Sequence, residues 1–184
     1  MLTLLPRHRV DPQLRADVSA ALAEVSVVQQ RSTITGYDRD AFGGWASAGS
    51  CTTRQVVLVD YFGGRPCHPA GTAVVDFYTG EDLRAADADI DHIYPLAAAW
   101  DFGACWWTAA ERARFANDPA NLVPTDSAVN RKKSDLTLAQ WLPPYQPHRC
   151  AYVARYVGVA RAYGLPLSVA DWQAAASACG IDGG

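Results

Sequence analysis

The pair Asp91-His92 lies in the short run Asp89-Ile-Asp-His-Ile-Tyr-Pro-Leu96, and Asn121-Leu122 and Asn130-Arg131-Lys132-Lys133-Ser134 follow it. These residue types suit hydrolysis of a phosphodiester. That reaction needs an activated water and relief of the charge that builds on the leaving oxygen. His92 can supply the first, because a neutral imidazole with an ordinary pKa of ~6.5 takes a proton from water at cellular pH. A bound cation can supply the second by electrostatic stabilisation. Mg²⁺ is hard, prefers oxygen, and usually takes one or two protein ligands beside waters and phosphate oxygens. The Asp91 carboxylate and the Asn130 amide oxygen are ligands of that kind.

Adjacent residues of a regular strand point to opposite faces. Asp91 and His92 therefore share a site only where their strand ends or bulges, and Pro95 supplies an ending. We read strands at about 90–94 and 121–125, with a helical insertion between them. Within that insertion, 97–104 reads as helix, and Thr108-Ala-Ala-Glu111 is a capping box opening a helix to about Ala116. Asp126 or Ser127 caps a helix that carries Asn130 and Lys133, and turns Asn130 toward His92. Lys133, three positions on, shares the Asn130 face.

Outside this unit, Asp11-Pro12 opens a helix to about residue 26, with Leu14, Val18, Leu22 and Val25 at helical spacing. Residues 29–50 read as irregular, and Thr52–Phe62 as helix or strand, with helix favoured. Thr72–Thr79 reads as strand, Leu136–Trp141 as a turn of helix, and 148–163 and 168–179 as two C-terminal helices. The fold class expected is α+β. Residues 1–33 form an N-terminal helical piece, either packed on the rest or appended to it, and residues 34–184 form the main domain.

The Asp-His, Asn and Asn-Arg-x-Lys-Ser pattern resembles the HNH (ββα-metal) endonucleases. It is most similar to small actinobacterial HNH proteins that share a domain with the C-terminal part of GmrSD-type restriction enzymes. Tyr37-Asp-Arg39-x-x-Phe42-Gly43-x-Trp45, Cys51-Thr-Thr-Arg54, Tyr78-Thr-Gly80 and Trp141-Leu-Pro-Pro144 extend the likeness over about residues 34–179. The resemblance implies a ββα-metal core and a metal-dependent endonuclease. It makes His92 the general base, Asp91 and Asn130 the metal ligands, and Asn121 the residue that orients the base. Asp91 stands where the family name has its first histidine. That keeps an oxygen ligand and favours Mg²⁺ or Mn²⁺ over Zn²⁺.

Arg131 and Lys133 are the expected phosphate contacts. Arg39 and Arg54 either reach nucleic acid or brace the fold against acidic partners. Backbone contacts carry no sequence information, so low specificity on DNA, or on RNA, is expected. The rival reading is a non-catalytic nucleic-acid-binding or structural module on the same scaffold.

The chain of 184 residues carries a net charge of −3, which by itself does not advertise a nucleic-acid binder. The distribution says more. Residues 76–101 hold seven acids against one arginine, and residues 104–164 hold eight bases against four acids. An acidic site beside a basic wall suits a cation-assisted reaction on a polyanion. No apolar run of about eighteen residues exists to span a membrane. Met1–Arg7 is too short for a signal-peptide core and is broken by Pro6, which reads as cytoplasmic. The five cysteines read otherwise: Cys51–Cys67 and Cys150–Cys179 as disulfides of a secreted protein with Cys105 left over, or all five as reduced core residues. Cys51 with Cys67-His68 also carries a weak zinc reading. Trp100, Trp106 and Trp107 read as packing residues, with base stacking by one of them as the alternative.

Overall fold

The computed structural model describes residues 9–181. The reading of Met1–Arg7 falls outside them. Among the described residues seven α-helices surround a small antiparallel strand pair, and further two-residue bridges pin the loops.

Helix α1 (Pro12–Glu24) starts where Asp11 accepts a hydrogen bond from the Gln13 backbone, satisfying one of the amides a helix start leaves open. Its Val18, Leu22 and Val25 enter the same hydrophobic cluster as Tyr94, Tyr156 and Val157. Beyond it, Arg31 bonds Asp101 and Asp135 across the chain at 2.7 and 2.9 Å. The N-terminal piece is therefore packed on the rest. Helix α2 (Thr53–Phe62) follows a Thr52–Gln55 capping box.

Strand β1 (Ala88–His92) pairs antiparallel with β2 (Leu122–Asp126), with His92 opposite Leu122 and Ile90 opposite Pro124. Between them lie α3 (Leu96–Asp101) and α4 (Ala109–Ala116), the latter opened by the Thr108–Glu111 capping box. Helix α5 (Ser127–Lys133) follows β2 directly, with Asp126 as its N-cap. Helices α6 (Arg149–Tyr163) and α7 (Val169–Cys179) close the chain, and α6 carries the largest share of the core.

Three elements differ from expectation. The strand read over Thr72–Thr79 shrinks to Val74–Val75, which bridges Asp82–Leu83. The rest becomes a turn because the buried Asp76 carboxylate gathers the amides of Tyr78, Thr79 and Asp126 and the Thr125 hydroxyl. That local alternative outcompetes a sheet ladder. Gly80 ends the turn at φ +74°, where a Cβ would strike the Tyr145 ring. The helix read over 97–104 stops at Asp101, and Leu136–Trp141 forms turns.

The cysteines pair as Cys51–Cys67 and Cys150–Cys179, with Cα atoms 5.3 and 4.8 Å apart, and Cys105 is free. Cys51 and Cys67 thus have no thiolate to offer zinc, and that reading is corrected. The second bond ties α6 to α7 across 29 residues of chain, a loop whose closure entropy is worth about 3–4 kcal/mol. Among the described residues no helix is long and apolar enough to cross a membrane.

Candidate active site

A cavity of about 540 Å³ opens where β1 ends. Ile90, Asp91 and His92 line it from the strand, and Pro95 and Leu96 from the turn into α3. Asn130, Arg131 and Ser134 line it from α5, and Tyr37 and Arg39 from the segment before α2. The strand stops at His92, so the cavity meets both faces of its last two residues.

His92 is buried. Its Nε2 lies 2.8 Å from the Ala116 carbonyl oxygen. A carbonyl only accepts, so Nε2 carries the proton and Nδ1 keeps its lone pair. The ring lies parallel to the Trp45 indole, 6.2 Å between centroids and 4° between planes. Burial lowers its pKa to about 4, against a small upward pull from the Ala116 bond. The imidazole is neutral at neutral pH.

Asp91 is buried on the other side. Its Oδ2 accepts from the Tyr78 hydroxyl at 2.6 Å and from Lys133 Nζ at 2.8 Å. Oδ1 accepts from Lys133 Nζ at the longer distance of 3.1 Å. Lys133 also donates to the His92 carbonyl at 2.8 Å. Burial pushes the Asp91 carboxyl up, while Lys133 and Tyr78 pull it down. The Asp76 turn aims Tyr78 at this carboxylate, so the same acid that broke the expected strand builds the site.

Lys133 does not reach solvent. The phosphate contact expected of it is corrected: an α5 residue on the inner face meets β1, and its ammonium is committed there. Asn121 is also fully buried, but its side chain clasps the backbone of Tyr94 (N–H to Oδ1 2.7 Å, Nδ2 to O 3.2 Å) and not the His92 ring. The contact on the ring comes from the Ala116 carbonyl. Asn130 lines the cavity, and among the described residues its side chain makes no hydrogen bond. Arg131 and Arg39 are exposed and line the cavity from different elements, and neither is ion-paired among the described residues. Arg54 lies elsewhere and donates to the Ala88 carbonyl at 3.4 Å. Trp100 and Trp107 pack on the core, whereas Trp106 is 87% exposed.

Among the described residues no group of three or more His, Cys, Asp or Glu side chains is arranged to hold a metal. A hard cation would have one carboxylate and one amide oxygen here. That suits an ion which keeps most of its waters and does not suit Zn²⁺, which favours nitrogen and sulfur. Trp45, Tyr78 and the Ala116 carbonyl were not singled out by their chemistry in the sequence. Trp45 and Tyr78 sit in segments noted only for their resemblance, and nothing in a sequence marks a carbonyl.

The family of GmrSD restriction endonuclease C-terminal domains matches residues 68–175. A protein of Arthroderma benhamiae described as an uncharacterized secreted protein is 34% identical over 172 residues, 88% of this chain and 83% of that protein. No solved structure matches the chain. The family match begins beside the Asp76 turn and runs through both strands, α5 and α6, so the walls contributed by Asp91, His92, Asn130 and Arg131 lie inside it. The chain belongs to the family of GmrSD restriction endonuclease C-terminal domains, a nuclease-related family.

Proposed function

We propose that this protein is an endonuclease that hydrolyses DNA with low sequence specificity, using Mg²⁺ or Mn²⁺, and that β1, β2 and α5 form its ββα-metal core. The observation that carries this reading is one cavity lined by a neutral, singly protonated imidazole, a carboxylate, and an amide and two arginines that have no side-chain partner among the described residues. His92 Nδ1 takes the proton from the attacking water. The Ala116 carbonyl stabilises the imidazolium that results, because Nε2–H already points at it. Asp91 Oδ1 and the Asn130 amide oxygen would hold the cation. When bound, the cation stabilises charge on the leaving oxygen. Arg131 and Arg39 grip phosphates on either side and read no base. We also propose export from the cell, supported by the two disulfides and the secreted relative.

One observation favours the rival binding module: Lys133 already neutralises Asp91 without a cation. Nicking of supercoiled plasmid separates the two. Wild type with Mg²⁺ should nick, while wild type with EDTA and His92→Ala with Mg²⁺ should not. Well-folded wild type that binds plasmid but leaves it intact with Mg²⁺ and Mn²⁺ would favour the module.

A further inference from the structure

Residues 37–54 precede the family match, yet they supply one wall of the cavity. Trp45 is the residue of that segment whose ring lies parallel to the imidazole, 6.2 Å between centroids. Its placement is built. The Asn117 side chain accepts from the Ala46 backbone at 2.8 Å and donates to the Gly44 carbonyl at 3.1 Å, so it grips both neighbours of Trp45. Asn117 also donates to Ala113 O within α4, at 3.0 Å. On the other side, Thr53 at the start of α2 donates its backbone N–H to Ala46 O at 2.9 Å. The indole packs on the small cluster of Val57, Leu58, Ile90 and Leu122 beneath β1.

Asn117 is the C-cap of α4, and Ala116 directly before it accepts the His92 hydrogen bond. One helix end therefore sets both partners of the ring. The two partners do different things. A single hydrogen bond fixes the position of Nε2 but lets the ring swing about that contact. A parallel aromatic face restricts the plane. Only with both is the direction of the Nδ1 lone pair determined.

We propose that Trp45 is a positioning residue for His92: its indole holds the imidazole plane so that Nδ1 faces the cavity. The inference rests on the reading of His92 as the base. Its catalytic consequence follows from geometry, since a misaimed base lowers the rate of the chemical step and leaves substrate binding alone.

Steady-state cleavage of a labelled duplex in saturating Mg²⁺ is measured for wild type, His92→Ala, Trp45→Leu and Trp45→Phe. The order of the His92 ring is read in parallel by ring ¹³C relaxation on metal-free protein. Trp45→Leu should lower kcat roughly 10–100-fold with KM within about twofold of wild type, and the His92 ring should become less ordered while the Ala116 bond keeps the proton on Nε2. Trp45→Phe should restore kcat to within about threefold and the order of the ring. If Trp45→Leu is unstable, Asn117→Ala, which loosens the clamp without deleting the indole, should produce the same two changes. A folded Trp45→Leu protein with wild-type kcat, a loss confined to KM, or a loss that Phe does not restore overturns the proposal and leaves the nuclease reading standing. An inactive wild type removes the nuclease reading instead. The order of the ring then decides alone: a His92 ring as ordered in Trp45→Leu as in wild type overturns the positioning role.

Discussion

On one side of β1, Asp91 sits among a buried ammonium and a buried phenol; on the other, the next residue, His92, sits against an indole and one backbone carbonyl. The two neighbours are comparably buried, and the chain meets the cost of that burial in opposite ways. A carboxylate out of water needs a counter-charge and further hydrogen bonds, or it is strongly disfavoured. Lys133 and Tyr78 provide them. An imidazole has a neutral form within reach, so burial is met by giving up the proton. The first solution is electrostatic and intolerant of losing either partner. The second is geometric and leaves a lone pair for chemistry.

The sharpest way to break the comparison is to remove the counter-charge. Lys133→Met keeps the aliphatic stem and deletes the ammonium, leaving Asp91 buried beside Tyr78 alone. We expect a loss of about 3–5 kcal/mol in urea unfolding at neutral pH. Asp91→Asn in the same chain should recover a large part of it, because the amide needs no counter-charge. A single mutant within about 0.5 kcal/mol of wild type would mean that the ion pair does not hold this side together.

The His92 side should respond to pH instead. Its folded pKa, about 4, lies below the ordinary 6.5. The unfolded chain therefore takes up a proton before the folded chain does. Stability is fully present above pH ~6.5 and is lost as pH falls through the folded value, in all roughly 3 kcal/mol. With EDTA present to exclude metal, wild type should lose about that much more between pH 7 and 4 than His92→Asn does. Parallel curves for the two would show that burial does not hold this imidazole neutral.

The contrast also explains what could be read in advance. Asp91, His92, Asn130 and Arg131 line one cavity, and the elements that carry them have local signals: Pro95 past the end of β1, Asp126 capping α5. Lys133 was misread because the helical face it shares with Asn130 was known, but not that this face turns inward at its last turn. Asn121 was misread because a buried amide satisfies whichever polar groups tertiary packing supplies, and here those belong to the Tyr94 backbone. Asp76 looked like one acid in an acidic stretch. Only the fold reveals that it has four partners and ends a strand. Residues 37–54 were legible as irregular, and irregular segments carry no periodicity from which the facing of Trp45 or Arg39 follows.

Asn130 is where the two sides meet, and its effect should be the smallest and the most selective. Its side chain faces the cavity and makes no hydrogen bond among the described residues. Asn130→Ala therefore removes no native contact of that kind, and stability should stay within about 0.5 kcal/mol of wild type. The His92 acid slope should also persist, since neither Trp45 nor Ala116 is disturbed. What should change is cation affinity. Losing one of two protein oxygens should raise the Mg²⁺ midpoint, followed by calorimetry without substrate, by roughly tenfold, about 1.4 kcal/mol. Asn130→Asp keeps an oxygen and adds charge, so its midpoint should fall below that of Asn130→Ala. If the midpoint is the same in Asn130→Ala as in wild type, Asn130 is not a ligand, and the Asp91 side, with its resident ammonium, would be left to hold a cation through Oδ1 alone. The charge on Lys133 opposes that, so such a result would weigh against a bound cation anywhere in the cavity.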